Sequence, residues 1–221
     1  MSGRTAVLLG ASGLIGGYVL DELLQRETYS SVRAIVRRPL SRSHAKLDQR
    51  IVEFANLDRD GAAFIGDDVF SCLGTTIKAA GSQQMFRAVD YEYPLAAARL
   101  ARERGAQQLL LVTAIGANPG SSIFYYRVKG ELERAVAALG FTTLHILRPS
   151  LLLGDRAEPR PTERLAQVLG RKLSAAMAGP LRKYRPIEAQ RVAQFMVQAA
   201  ESDHVGSHIW ESEQMAGYSG V

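Results

Sequence analysis

Cysteine is nearly absent from this sequence. Cys72 is the single cysteine among 221 residues, so no internal disulfide can form. Structural disulfides accumulate in oxidising compartments, and their absence here leads us to expect a cytoplasmic protein. Nothing basic adjoins Cys72 in the sequence to lower the pKa of its thiol. We therefore interpret it as a core residue rather than a reactive one.

Long apolar runs are also missing. No run reaches the about 20 residues that a helix needs to cross a bilayer, so we expect no membrane partner. The first apolar strand begins within the opening residues, and no secretory signal peptide is expected. No repeat at solenoid periods and no low-complexity tract is present. The length then predicts a single domain, residues 1–221, with one hydrophobic core.

Acidic residues are outnumbered by basic ones, which gives a formal net charge of +5. The basic residues are scattered, and no basic motif with interleaved aromatics occurs. We therefore expect no nucleic-acid partner, and binding to nucleic acid is the weaker interpretation of this charge. The four histidines are scattered as well. His204 and His208 lack an acid or cysteine to complete a ligand set, so we predict no metal site.

What the chain does contain is a glycine motif at its start, Thr5–Gly17, with the sequence TAVLLGASGLIGG. A short apolar run ends at Gly10, and apolar residues then recur with helical spacing, which indicates a strand, a tight turn and a helix. Gly10 lets the chain turn, Gly13 leaves space for a pyrophosphate, and Gly16 lets the helix pack closely on the strand. The first N–H groups of the helix then face the phosphates. The motif therefore predicts nucleotide binding.

No acidic residue follows the second predicted strand, residues 31–36. In dinucleotide-binding folds an acid at this position, about 20 residues past the glycines, holds the adenosine ribose 2′-hydroxyl. Here Arg37 and Arg38 occupy it. Guanidinium groups suit a 2′-phosphate through charge-assisted contacts, so we predict that NADP(H) is preferred over NAD(H). The alternative is that both arginines point to solvent.

The remaining chain alternates between strand and helix patterns. Further strands are predicted at residues 50–54, 67–73, 108–113, 142–147 and 208–210, and helices at residues 82–104, 123–139, 163–178 and 188–201. Pro94 predicts a kink or a break near Tyr93. Residues 151–187 are irregular and are interpreted as a small C-terminal substrate lid, and the last residues look unstructured. This alternation predicts an α/β protein with a doubly wound parallel sheet.

The carboxyl ends of the predicted strands should meet at one rim of the sheet, where ligands bind in such folds. The residues at these ends are Gly10, Arg37, Asn56, Leu57, Leu73, Gly74, Thr75, Thr113 and Pro149. Small residues after the fourth strand let a cofactor lie across the sheet edge. Asn56 and Leu57, after the third strand, are predicted to pass near the adenine.

Tyr125 and Lys129 stand four residues apart on the helix after the fifth strand, so they share one helix face. An ammonium beside a phenol stabilises the phenolate and lowers its pKa. The phenol then exchanges a proton with a substrate oxygen near neutral pH. In the alternative interpretation Tyr125 is a surface aromatic and Lys129 is solvated. Tyr126 is expected to pack or to line the pocket.

Together these motifs resemble the short-chain dehydrogenase/reductase superfamily, in its atypical branch, which has the Rossmann fold. GASGLIGG resembles the glycine motif of that branch, YYRVK its Tyr-x-x-x-Lys motif, and ILRPSLLLG its turn after the sixth strand. The stretches CLGTT, VKGELE and RPSLLLGDR, with the loop from Ile115, resemble the Tat-interacting-protein-like oxidoreductases. The resemblance covers residues 4–200 and is specific for the fold and for NADP(H) binding, and much less so for a reaction.

The resemblance implies a role for each matching position. Tyr125 would be the catalytic acid/base, Lys129 would also hold the nicotinamide ribose, and Pro149 would contact the nicotinamide. The 2′-phosphate would be held by Arg37 and Arg38. The pyrophosphate would be lined by Gly10, Ser12, Gly13, Leu14, Ile15 and Gly16.

The sequence departs from the family at the end of the fifth strand, where a serine usually holds the substrate oxygen. This end reads Val112-Thr113-Ala114. Depending on the register, Thr113 supplies the hydroxyl or Ala114 removes it, and Ser121 or Ser122 from the following loop is a further alternative. The departure concerns turnover and leaves cofactor binding intact.

Two functions follow from these expectations. The first is an NADP(H)-dependent oxidoreductase that transfers hydride to or from a small carbonyl or alcohol substrate, with Tyr125, Lys129 and Thr113 as catalytic residues. The second is an NADP(H)-binding regulatory or interaction module with little turnover. The pattern fits a monomer or a homodimer equally.

Overall fold

In the computed structural model, which describes residues 3–154 and 179–217, apolar runs form strands and amphipathic runs form helices. The strands are β1 (Arg4–Leu9), β2 (Tyr29–Val36), β3 (Leu47–Ile51), β4 (Asp68–Ser71), β5 (Gln108–Val112), β6 (Thr143–Arg148), β7 (Leu152–Leu153), β8 (Ile187–Glu188) and β9 (Gly206–Glu211). The helices are α1 (Leu14–Gln25), α2 (Ile77–Ala80), α3 (Gln83–Arg87), α4 (Tyr93–Glu103), α5 (Phe124–Ala137), α6 (Ala189–Ala200) and α7 (Ser212–Gly217). Turns of 3-10 helix occur in Phe54–Phe64 and Gly179–Tyr184, and a π-helical turn spans Ala88–Glu92.

Seven of these strands form one sheet in the order β3-β2-β1-β4-β5-β6-β9, and every neighbouring pair is parallel. β7 and β8 pair separately, also in parallel. From β1 the chain builds outward to β3 on one side and then crosses to β4 on the other. The strand order therefore reverses between β1 and β4, which is the place where this fold binds ligands. The predicted doubly wound Rossmann-type sheet is confirmed.

Helices cover both faces of the sheet, so the central strands are apolar throughout. All five residues of β5 are buried. On one face the core is built with the apolar stripes of α1 and α6. On the other face it is built with α4, α5 and the turns around Phe54 and Phe64. This two-sided burial explains why β5 reads as a continuous apolar run rather than an alternating one.

The third strand lies three residues earlier than its apolar pattern predicts. It spans Leu47–Ile51, where Val32 pairs with Leu47 and Val36 with Ile51, instead of residues 50–54. β3 is the edge of the sheet, and edge strands need little apolar surface. The apolar signal came from Val52 and Phe54, which are buried beneath the sheet just after the strand.

The predicted long helix over residues 82–104 is divided. It consists of α3, the π-helical turn and α4, which are joined without an intervening loop. Pro94 lies in the first turn of α4, directly after the π-helical turn. The predicted irregularity near Tyr93 is thus a change from π-helical to α-helical geometry and not an end of the helix. The π-helical turn carries a buried acid, Asp90.

The C-terminal part differs from its prediction. β9 pairs with β6 over six residues, twice the predicted length. α7 follows it, so the expectation of an unstructured end is wrong for residues 212–217; Met215 on α7 is fully buried and anchors the helix to the core. The predicted helix at residues 163–178 and the last four residues lie outside the described residues. Within the described residues the predicted lid contains β7, the turn at Gly179–Tyr184 and β8.

The helices within residues 3–154 and 179–217 are all too short or too polar to traverse a bilayer.

Candidate cofactor and catalytic site

The glycine motif forms the turn between β1 and α1. Gly10 has a φ of 82°, a conformation that suits glycine. A Cβ atom there would also lie 2.6 Å from the carbonyl oxygen of Cys72, at the end of the neighbouring strand. A Cβ atom on Gly16 would collide with the carbonyl oxygen of Gly10. Two of the three glycines are therefore required by close backbone packing at the strand-order switch.

The start of α1 is open to an anion. The helix begins at Leu14, its N-cap is Gly13, and no side chain caps it. Its first turn carries no acidic residue. Ser12 is exposed, whereas the Ile15 side chain is buried in the core, so Ile15 offers its backbone. Uncapped N–H groups and the positive end of the helix dipole suit a pyrophosphate at this position.

Arg37 and Arg38 directly follow β2, and both are exposed. Neither is in a salt bridge with any residue of the described part of the chain. Asn56 is exposed, and its amide donates to Glu53 over 2.9 Å. The Leu57 side chain is 3% exposed and packs into the core. A contact of Leu57 with adenine would therefore involve its backbone.

A buried ion pair, which the sequence patterns did not predict, lies next to the loop after β4. Asp90, on the π-helical turn, is fully buried, and its Oδ1 atom lies 2.8 Å from the Nζ atom of Lys129. Its Oδ2 atom accepts a hydrogen bond of 2.9 Å from the backbone N–H of Thr75. A Cβ atom on Gly74 would lie 3.5 Å from both charged groups. The ion pair therefore lies directly beneath the predicted cofactor-binding loop Leu73–Thr75.

One signal in the sequence pointed to Asp90. It stands four residues after Phe86, which is fully buried, and so shares the core face of the predicted helix. An acid on a core-facing position needs a charged partner. The sequence alone did not identify Lys129 as that partner, because the two residues meet only through the packing of separate helices.

Tyr125 lies one turn before Lys129 on the same face of α5. Its ring centroid is 5.5 Å from that of Phe86 and 5.4 Å from that of Tyr126. Burial raises the pKa of the Tyr125 phenol, and the Lys129 ammonium opposes this without reversing it. Lys129 thus acts on the phenol in the predicted direction, but burial and Asp90 outweigh it, and the net effect is a raised pKa.

The hydroxyl of Thr113, just beyond β5, is used inside the protein. It donates to Oε1 of Glu133 over 2.6 Å, and Thr113 is 5% exposed. The same carboxylate accepts from Nε of Arg148 over 3.0 Å and from Nη2 over 2.6 Å. This buried network ties the ends of β5 and β6 to α5. The hydroxyl proton of Thr113 is therefore donated within this network and not toward the rim.

The other hydroxyls proposed near this position lie on the loop that leads into α5. The Ser121 hydroxyl accepts a hydrogen bond from the backbone N–H of Ile123. Ser122 is exposed, and its carbonyl accepts from Arg127. Ala114, which follows Thr113, is buried.

Close packing brings α5 to the rim. A Cβ atom on Gly130 would collide with the backbone of Asn118 and Pro119, so only glycine lets the helix approach the loop after β5 so closely. Pro149, at the end of β6, is buried, and its carbonyl accepts a hydrogen bond of 3.0 Å from the backbone N–H of Ile115. The ends of β5 and β6 are thus joined beside the start of α5.

Three histidines that look scattered in the sequence lie together at the edge of the sheet. The rings of His145, His204 and His208 have centroids 4.9 to 5.7 Å apart, because β6 pairs with β9. Nε1 of Trp210 donates to Nδ1 of His145 over 3.0 Å, so Nε2 of the neutral ring carries the proton and has no lone pair for a metal. Within the described part of the chain no group of three potential ligands has metal-site spacing.

Cys72 lies at the rim end of β4 and contacts Met196, with their sulfur atoms 3.8 Å apart. Burial raises the pKa of its thiol to about 12. A thiol in this state is a poor nucleophile at neutral pH.

Comparison with known proteins agrees with this geometry. Residues 10–203 match the family described as NAD(P)H-binding. The chain is 41% identical to Protein HTATIP2 of Rattus norvegicus over 171 residues, which cover 76% of this chain and 70% of the relative. It is 33% identical to Protein FMP52, mitochondrial, of Saccharomyces cerevisiae over 215 residues, which cover 92% of this chain and 86% of the relative.

Solved structures agree in fold. MoeE5 in complex with UDP-glucose and NAD superposes with a TM-score of 0.71 at 16% identity, covering 94% of this chain and 75% of that one. The UDP-glucose 4-epimerase of Thermotoga maritima also superposes with a TM-score of 0.71, at 12% identity, covering 94% and 76%. At such identities the likeness shows the fold alone.

The names of the sequence relatives contradict the expected cytoplasmic location. The relatives from Saccharomyces cerevisiae, Eremothecium gossypii and Aspergillus fumigatus are all named as mitochondrial proteins. The location was inferred from a single cysteine, which reflects redox conditions and does not identify a compartment. With the family match over 10–203, the glycine turn and the Tyr125–Lys129 face, this chain belongs to the NAD(P)H-binding family, in the Tat-interacting-protein-like group of atypical short-chain dehydrogenases/reductases.

Proposed function

We propose that this protein is an NADP(H)-dependent oxidoreductase that transfers hydride to or from a small carbonyl or alcohol substrate. One observation carries the proposal. The Lys129 ammonium lies beneath Gly74 at the cofactor rim, and Tyr125 stands one turn away on the same helix face. This is the arrangement in which a phenol exchanges a proton with a substrate oxygen while the cofactor takes or gives the hydride.

Each residue has a defined task in this proposal. Tyr125 donates its proton to the substrate oxygen in the reducing direction. Lys129 favours the resulting phenolate and holds the nicotinamide ribose. The nicotinamide lies against Pro149. We further propose that residues 151–187 form the substrate lid of a single domain, residues 1–221, and that NADP(H) supplies the hydride chemistry when bound.

The proposed preference for NADP(H) rests on two arginines. Arg37 and Arg38 stand where an acid would bind the 2′-hydroxyl of NAD(H), and the described residues offer them no carboxylate partner. A 2′-phosphate would satisfy both guanidinium groups with charge-assisted hydrogen bonds.

The first experiment is a calorimetric titration with NADPH and with NADH, followed by NADPH oxidation against a panel of aldehydes and ketones. We expect Tyr125→Phe to lower turnover by about 10²- to 10⁴-fold, the usual contribution of a general acid, with unchanged affinity for NADPH. Tyr93→Phe is the control, because it removes a hydroxyl from a partly buried tyrosine whose ring packs on Phe54. Unchanged turnover in Tyr125→Phe would refute the proposed role.

A second candidate function is an NADP(H)-binding regulatory or interaction module with little turnover. The observation that favours it is the hydrogen bond from Thr113 to Glu133, which occupies the hydroxyl that would orient a substrate. This function predicts NADPH binding without oxidation on any member of the panel, together with partner binding that depends on NADPH. Steady-state turnover that is lost in Tyr125→Phe would exclude it.

A further inference from the structure

One buried carboxylate beside the candidate site has no task in the reaction proposed above. Asp90 is fully buried and contacts both the Nζ atom of Lys129 and the backbone N–H of Thr75. It therefore connects the lysine with the loop after β4. We propose that Asp90 is a positioning residue, which fixes the Lys129 ammonium beneath the cofactor rim and compensates its charge beside the Tyr125 phenol.

The position of Asp90 depends on the π-helical turn. This turn lies between α3 and α4 and directs the carboxylate toward α5. Lys129 is 5% exposed at its side chain, so its ammonium has little contact with solvent. A buried ammonium is stable only with a partner that is itself hydrogen-bonded, and the Thr75 N–H provides that second contact to the carboxylate.

The electrostatic role follows from the groups that face each other here. Burial acts to lower the pKa of Lys129, but Asp90, Tyr125 and Glu133 outweigh it, so the pKa is raised and the ammonium is maintained. Burial raises the pKa of Tyr125; Lys129 lowers it, whereas Asp90 and Tyr126 raise it further. Asp90 thus cancels part of the effect that Lys129 has on the phenol.

Glu133 also acts on Lys129, but its charge is already balanced by Arg148. Arg148 pairs with both of its carboxylate oxygens, and Thr113 donates to one of them. Asp90 has no arginine partner in the described part of the chain, and its ion pair is with Lys129. The compensation of the lysine is therefore assigned to Asp90.

The test measures the ionisation of Lys129 directly, by NMR of lysine with isotope-labelled side-chain carbons during a pH titration of the free protein. Lys129→Met assigns the signal. In Asp90→Asn the amide oxygen can still accept from Thr75, so the substitution removes the charge and keeps the loop contact. We expect the Lys129 midpoint to move to lower pH in Asp90→Asn, because burial then acts on the ammonium without the opposing carboxylate.

Asp48→Asn is the matched control. It makes the same change in net charge at a remote carboxylate, which pairs with Arg33 and Arg50 on the edge of the sheet, and it should leave the midpoint in place. An unchanged or higher midpoint in Asp90→Asn would overturn the proposal. If Asp90→Asn fails to fold, Glu133→Gln provides the second test, because Arg148 already pairs with both carboxylate oxygens of Glu133. The Lys129 midpoint should stay close to its wild-type value in this variant, and a large fall would overturn the assignment to Asp90.

The kinetic consequence rests on the proposed oxidoreductase function. Where turnover is found, Asp90→Asn should move the alkaline limb of the pH–rate profile to lower pH, because Lys129 then loses its proton at lower pH. A merely structural role would lower the rate at every pH without moving the limb, and would contradict the proposal. A protein that turns over no substrate would refute the oxidoreductase function, whereas the Lys129 midpoint would still decide the role of Asp90.

Discussion

At the residue scale, the proposed preference for NADP(H) rests on two side chains that the folded protein leaves exposed. Arg37 and Arg38 follow a buried strand and need no partner for folding. Their position at the end of β2 is set by the parallel pairing of β2 with β1. The apolar strand pattern that ends at Val36 was enough to predict that these arginines lie at the rim of the sheet.

Arg37→Ala is expected to weaken NADPH binding by about tenfold to a hundredfold, since a hydrogen bond to a charged group contributes about 1.5–3 kcal/mol. NADH affinity should not change, because NADH lacks the 2′-phosphate. Calorimetric titration with both nucleotides measures the difference. Arg134→Ala, which removes an exposed arginine from α5, is the control. Equal losses of affinity for both nucleotides would show that Arg37 does not contact the 2′-phosphate.

The residue scale also shows which contacts of two predicted site residues the sequence does not reveal. Thr113 donates its hydroxyl proton to Glu133, which stands 20 residues away in the sequence. Burial and Asp90 raise the pKa of Tyr125 against the effect of Lys129. In both cases the decisive partner lies on a different element, and no local spacing reveals it.

At the element scale, the β1–α1 turn is the part that the sequence specifies most completely. Gly10 and Gly16 are fixed by the approach of backbone to backbone, at the end of β4 and within the turn itself. The same turn leaves the start of α1 without a side-chain cap. Close packing and an open helix start are thus two results of one glycine pattern.

Gly16→Ala should destabilise the fold by about 1–3 kcal/mol and weaken NADPH binding, because its methyl group displaces the carbonyl of Gly10. Gly17→Ala is the matched control on the same helix. Its Cβ atom would lie 3.7 Å from the carbonyl oxygen of Ala11, an ordinary contact, and alanine is the better helix former. Urea unfolding and NADPH titration check both variants. Equal stability of the two would contradict the packing argument.

The helix before β5 shows the limit of pattern analysis at this scale. Pro94 predicts a kink or a break, and the helix changes from π-helical to α-helical geometry beside it. Its form as a π-helical turn was not predictable, because the apolar stripe around it fits a continuous helix equally well. That turn directs Asp90 into the site.

At the scale of the whole molecule, two buried groups in different parts of the sheet oppose each other in their effect on stability. Burial raises the pKa of Asp68 to about 6, so the native state binds the extra proton and stability falls as the pH rises through this range. Burial lowers the pKa of His145 to about 4, so the unfolded state binds the extra proton and stability rises through the same range.

We therefore expect the two effects to cancel in the wild-type protein between about pH 4 and pH 6. Each is on the order of 3 kcal/mol, from about 1.4 kcal/mol per pKa unit. Asp68→Asn should make the free energy of unfolding rise with pH relative to wild type, and His145→Gln should make it fall. Urea unfolding at several pH values measures both slopes. Parallel curves for all three proteins would contradict the assignment.

The sequence by itself determined the doubly wound sheet, the strand ends that carry the glycine turn and the arginines, and the helix face that Tyr125 and Lys129 share. It did so because hydrophobic periodicity and glycine chemistry act over a few residues. Only the tertiary structure decided the register of the edge strand β3, the pairing of Asp90 with Lys129, the capture of Thr113 by Glu133, and the meeting of His145 with His204 and His208. These contacts join elements far apart in the chain, and their partners are chosen by packing.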